Sequence, residues 1–133
     1  MIVVLDTNVL VSGIFYGGRP KEVLDLWSRE QFLVYATPAI LEEYVRVVHD
    51  LDRRLHMGIF DQWRQILSEA THLVPDESSR LHFCRDPHDD KFLHCAFQSK
   101  ADYLITGDSD LKSIRLEAGF KIVSPSQFLK IVT

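Results

Sequence analysis

The sequence predicts an α/β domain on a mainly parallel sheet, and three features of the chain predict it. Strand-like apolar runs alternate with helical patterns from one end to the other. The runs at Ile2-Val3-Val4-Leu5, at Phe32-Leu33-Val34-Tyr35-Ala36 and within the strand Asp102-Tyr103-Leu104-Ile105-Thr106 are continuous, with no polar alternation, as strands covered on both faces must be. The first and third run into acids, Asp6 and Asp108. In open α/β sheets ligands bind outside the carboxyl ends of the strands, so a carboxylate there has two readings, a turn cap or part of a site.

The elements follow in order. After Asp6 the segment from Val9 to Phe15 reads as a short buried helix or turn, and Gly17-Gly18 as a hinge; no strand precedes it and no P-loop lysine follows. Pro20 at a first helical position opens a helix through about Glu30 that carries Val23, Leu24 and Trp27. Thr37-Pro38 supplies a cap and first residue for a helix to about Leu51, with Ile40, Tyr44, Val47, Val48 and Leu51 on one stripe. Glu42 lies across from that stripe, whereas Glu43 falls at its edge, where it can reach a crevice.

Asp52 to Gly58 reads as a charged connector, Ile59 to Ala70 as a helix with Trp63 on its apolar face, and His72-Leu73-Val74 as a short strand ended by Pro75. Asp86-Pro87 with Asp89 resembles a helix cap, and an acid near a helix N-terminus suits the macrodipole. Asp90 is less well explained by capping, because it lies beside the stripe Leu93, Ala96, Phe97. Leu111 to Ala118 reads as a helix closed by Gly119, Lys121-Ile122-Val123 as the last strand, and Ser124-Pro125 as the cap of a terminal helix ending near Val132.

A chain of 133 residues is one domain, 1–133, that buries about two-thirds of its unfolded surface. No apolar run reaches the roughly 20 residues of a membrane span. Met1 leads straight into the strand without a basic leader, which predicts a cytoplasmic protein. In such a compartment Cys84 and Cys95, which lack a CxxC spacing, are expected as free core thiols. The six histidines are scattered, which argues against zinc. The net charge of −4 does not exclude a polyanion partner, because setting aside four acids in a metal site leaves acids and bases equal.

Asp6 and Asp108 at strand ends and Glu43 and Asp90 on helices could converge on one pocket. Crowded carboxylates repel unless cations occupy the cluster. Oxygen-only ligation suits Mg²⁺ or Mn²⁺, and such sites commonly act on phosphate.

The chain resembles the PIN-domain nucleases, and among them the VapC-like toxins of toxin–antitoxin systems, over essentially its whole length. Four stretches carry the resemblance: Val4-Leu5-Asp6-Thr7-Asn8, Thr37-Pro38 through Glu42-Glu43, Arg85-Asp86-Pro87-His88-Asp89-Asp90-Lys91-Phe92-Leu93, and Thr106-Gly107-Asp108-Ser109-Asp110-Leu111. Each is weak alone; four in order on matching elements are specific. The resemblance implies a three-layer α/β/α sandwich and a metal-dependent ribonuclease with an acidic quartet at Asp6, Glu43, Asp90 and Asp108. It implies supporting roles for Asn8 and Thr106, with Asp110 competing for the fourth acidic place and Asp89 for the third. It also implies a small antitoxin partner and a homodimer.

Combined, these readings predict hydrolysis of an RNA phosphodiester by in-line attack of water, leaving a 5′-phosphate and a 3′-hydroxyl. Arg46, Arg53, Arg54, Arg85 and Lys91 are candidate contacts to the RNA backbone. Trp27 and Trp63 are expected in the core and not as base-stacking platforms. Two rivals stand beside this reading. A haloacid-dehalogenase-like phosphatase would use Asp6 as nucleophile and Gly107-Asp108-Ser109-Asp110 as its last motif, but it wants an aspartate where this chain has Asn8. A non-catalytic PIN module that binds RNA or protein has no use for four clustered acids.

Overall fold

The computed structural model describes residues 1–76, 87–107 and 119–133, with the side chains of 87–90 outside that description. The expected helix at 111–118, Cys84, Arg85, Asp86, Asp108 and Asp110 lie outside the described residues, as do the side chains of Asp89 and Asp90. The described elements are β1 (Ile2–Leu5), α1 (Thr7–Phe15), α2 (Gly18–Ser28), β2 (Leu33–Ala36), α3 (Pro38–Leu55), α4 (Phe60–Ala70), β3 (Thr71–Leu73), α5 (Pro87–Gln98), β4 (Tyr103–Ile105), β5 (Lys121–Val123) and α6 (Pro125–Val132).

The five strands among the described residues are all parallel, in the order β3-β2-β1-β4-β5. Val3, Val4 and Leu5 are each fully buried. Successive strand residues point to opposite faces, so the sheet is covered on both sides and the architecture is three-layer α/β/α. The chain steps outward from β1 through β2 to β3 and then returns to the other side of β1 as β4. That reversal opens a crevice between the carboxyl ends of β1 and β4, where ligands bind in sheets of this kind.

Local chemistry explains the helix boundaries, including where they depart from expectation. Thr37 caps α3 by accepting the Ile40 N–H at 3.2 Å, and Pro38 occupies the first turn. The helix then runs to Leu55, one turn past the expected end at Leu51. Arg53 and Arg54 in its last turn complement the dipole there. Asp52, expected in a connector, accepts from the Ile59 and Phe60 N–H groups at 3.2 and 3.1 Å, and so caps α4, whose own cap residue Ile59 has no side-chain acceptor. In α2 the helix begins at Gly18, so Pro20 is third and not first. Ser124 and Gln127 close a full capping box on α6.

The core is continuous around the sheet. Phe128 of α6 is fully buried, edge-on to Phe32 and Tyr103 with ring centroids 5.3 and 5.6 Å away. Trp27 is buried and Trp63 packs partly buried against the same core. Phe97, placed on the buried stripe of α5 by its spacing, is instead 56% exposed, one step round from Leu93 and Ala96. Among the described residues no helix is long and apolar enough to cross a membrane.

Candidate active site

β1 and β4 run in register through Leu5 and Ile105, so the next residues, Asp6 and Thr106, emerge side by side at the switch of the sheet. The Asp6 N–H continues the ladder to the Ile105 carbonyl at 3.0 Å. The Asp6 carboxylate is only 6% exposed and has two neutral donors. Its Oδ1 accepts the Asn8 N–H at 3.2 Å, which makes Asp6 the N-cap of α1. Its Oδ2 accepts the fully buried Thr106 hydroxyl at 2.6 Å. The cap of α1 and the contact to the end of β4 are therefore one residue, working through different oxygens.

Glu43 reaches the same crevice from α3. It is 4% exposed, while its neighbour Glu42 is exposed, as the position at the stripe's edge predicts. The Thr7 hydroxyl donates to Glu43 Oε2, linking it to the residue after Asp6. The Lys91 ammonium of α5 donates to Oε1, and the exposed Arg46 guanidinium lies 3.9 Å from that same oxygen.

Tyr44, fully buried beside Glu43, donates its hydroxyl to the Leu5 carbonyl and so pins α3 to the end of β1. Burial holds its phenol well above the ordinary value, and the charges of Cys95, Asp6 and Glu43 add to that. Asp6 and Glu43 thus both lie within electrostatic reach of one phenol.

Of the four expected acids, the described side chains bring two together. Asp90 is a residue of α5, immediately before Lys91, and its side chain lies outside the described residues, as does all of Asp108. Asn8 contributes through its backbone N–H while its side chain is exposed. Lys91, expected on an RNA backbone, pairs with Glu43. Arg53 and Arg54 are exposed and start ten residues beyond Glu43, about 15 Å along the helix axis. The sequence reading missed Thr7 and Tyr44. Thr7 was visible only inside the stretch Val4-Leu5-Asp6-Thr7-Asn8, with no role of its own, and Tyr44 only as a member of the apolar stripe.

Among the described residues no three His, Cys, Asp or Glu side chains group as a metal site. The donors that do meet there still fit a hard divalent cation. Both are carboxylates, and among the described residues Asp6 is a buried charge with only neutral partners. A buried carboxylate held this way gains from a cation.

A family model of the PIN domain matches residues 2–110. The chain belongs to the PIN-domain family. PIN domains are a family of nucleases, so the crevice of this one is a candidate hydrolytic centre. This PIN domain is 32% identical over 139 residues to the Uncharacterized protein MJ1680 of Methanocaldococcus jannaschii, covering 96% of the chain and 89% of that relative. Its fold is similar to that in the crystal structure of VapBC2 from Rickettsia felis bound to a DNA fragment from their promoter. The TM-score there is 0.63 at 14% identity, over 93% of this PIN domain and 98% of that chain.

Proposed function

We propose that this PIN domain is an endoribonuclease dependent on Mg²⁺ or Mn²⁺ and the toxin of a toxin–antitoxin pair. The observation that carries the chemistry is the pair of buried carboxylates, Asp6 and Glu43, fixed by hydroxyl and amide donors at the switch of a parallel sheet. Asp90 and Asp108 complete the acidic set in this reading, with Asp110 the alternative to Asp108 and Asp89 to Asp90. Its support is that Asp90 precedes Lys91, whose ammonium reaches Glu43, and that Asp108 follows Thr106 by two residues. The VapBC2 assembly supports an antitoxin partner for this chain, and a cytoplasmic homodimer is part of the same proposal.

A divalent cation at this centre supplies activation of water near neutral pH and charge stabilisation at phosphorus. The chain's own residues prepare for it. Thr106 and the Asn8 N–H orient the two oxygens of Asp6, Thr7 orients Glu43, and Tyr44 fixes the distance between the elements that bear them. Arg46 offers a solvent-facing positive charge at the rim for the phosphodiester backbone.

The test is cleavage of RNA by wild type, Asp6→Asn and Glu43→Gln with and without Mg²⁺ or Mn²⁺. The expected result is metal-dependent cleavage to 5′-phosphate ends that each substitution lowers by about a hundredfold or more, roughly 3 kcal/mol of barrier. Equal cleavage by all three proteins, or 2′,3′-cyclic phosphate products, would refute the assignment. Growth arrest on expression that Asp6→Asn relieves marks a toxin; absence of arrest marks a nuclease of another role.

A further inference from the structure

The two buried carboxylates of the centre are treated unequally. Asp6 has neutral donors on both oxygens, while Glu43 already holds a cation from the chain itself: Lys91 on Oε1, with Arg46 3.9 Å from the same atom. Thr7 takes the other oxygen, so both Glu43 oxygens have partners before any metal arrives. An ammonium and a divalent cation cannot share Oε1 at close range, because like charges in a partly buried site repel strongly. Lys91 can withdraw. Its side chain is 27% exposed on α5, and its Nζ already lies 5.5 Å from the centroid of the Phe92 ring, an aromatic face that attracts a cation.

We propose that Lys91 is an internal counter-cation, neutralising Glu43 in the metal-free protein and displaced from Oε1 when a divalent cation binds. The proposal rests on the reading of Asp6 and Glu43 as metal ligands. Its consequence is a trade between two states. The ammonium keeps a buried carboxylate from standing alone in the empty centre, and the same contact weakens metal binding, because every metal must break it. Lys91 is thus a positioning residue that sets the metal affinity of the centre.

The experiment uses the full chain as wild type, Lys91→Met, Lys91→Arg and Asp6→Asn, with Mn²⁺ affinity from calorimetry and melting temperature with and without saturating Mn²⁺. Lys91→Met is expected to bind Mn²⁺ about tenfold tighter than wild type, within the usual range for coupled binding events. It is also expected to melt lower than wild type without metal and to gain more from Mn²⁺, while Lys91→Arg behaves as wild type. A purely structural role for Lys91 gives Lys91→Met an affinity equal to or weaker than wild type, and that result overturns the proposal.

A second measurement needs no variant. The Lys91 ammonium resonance of the wild type, assigned in ¹H–¹⁵N spectra, is expected to lose its protection from exchange on Mg²⁺ saturation, and its persistence counts equally against the proposal. The two readings fail separately. Mn²⁺ binding unaffected by Asp6→Asn removes the metal centre and this proposal with it. Binding lost in Asp6→Asn but unimproved in Lys91→Met removes only the role of Lys91.

Discussion

Asp6 caps a helix in the structure and, in the function proposed above, also serves the chemistry. Capping α1 engages Oδ1 through the Asn8 N–H, which leaves Oδ2 to be fixed by Thr106, two strands' ends meeting through one hydroxyl at 2.6 Å. Thr106→Val keeps the shape and removes that donor. The expected outcome is a fall in kcat of about 10- to 100-fold, typical of losing a group that orients a ligand, with a stability loss of only about 1–3 kcal/mol for the unsatisfied buried oxygen. Steady-state RNA cleavage beside urea denaturation separates the two effects. The carboxylates themselves were legible in the sequence, because a strand end and a stripe edge are local patterns. Thr7 and the engagement of Lys91 were not. Their partner Glu43 is 36 and 48 residues away, and no periodicity encodes a contact at that separation.

At the level of elements, caps and prolines made the helix starts readable, as at Thr37-Pro38 and Ser124-Pro125. Helix ends were harder. The charged stretch from Asp52 resembles a connector, yet its arginines complement the dipole of α3 and its aspartate caps α4, so the charges serve two helix termini at once. Gly13 is a second case in which tertiary packing decides. It lies inside α1, where alanine has the better intrinsic propensity by roughly 1 kcal/mol. A Cβ there would meet Leu24 Cδ1 at 2.6 Å and the Pro20 carbonyl at 2.9 Å. α1 packs tightly on α2 only because this position is bare, and a backbone carbonyl cannot swing aside as a side chain can. Gly13→Ala is therefore expected to destabilise the protein by about 1–3 kcal/mol, read as a lower urea midpoint at unchanged m. A midpoint at or above that of wild type would show that propensity outweighs the clash.

For the molecule as a whole, the alternation of continuous apolar runs with helical patterns established a parallel α/β sheet, but it carried no strand order. The order β3-β2-β1-β4-β5 depends on which strands find each other after long crossovers, and only that order puts Asp6 beside Thr106. The same covered sheet gives the protein a definite response to alkali. Burial pushes the Cys95 thiol up from 9.0 to about 12, and it is the chief reason the Tyr44 phenol stands well above 10.0. In the unfolded chain both groups ionise at their ordinary values. Between those values and the raised ones the unfolded state has released protons that the native state retains, so stability falls as pH rises. The contribution is fully present below pH 9, declines through Cys95 above it, and declines more steeply above pH 10 once Tyr44 joins. Each group contributes a slope of up to about 1.4 kcal/mol per pH unit. Urea-derived stability is therefore expected to drop between pH 9 and 10 in wild type and to stay nearly flat there in Cys95→Ala, while Tyr44→Phe removes only the extra slope above pH 10. Identical pH profiles for wild type and Cys95→Ala would mean that the buried thiol is not what makes this fold sensitive to base.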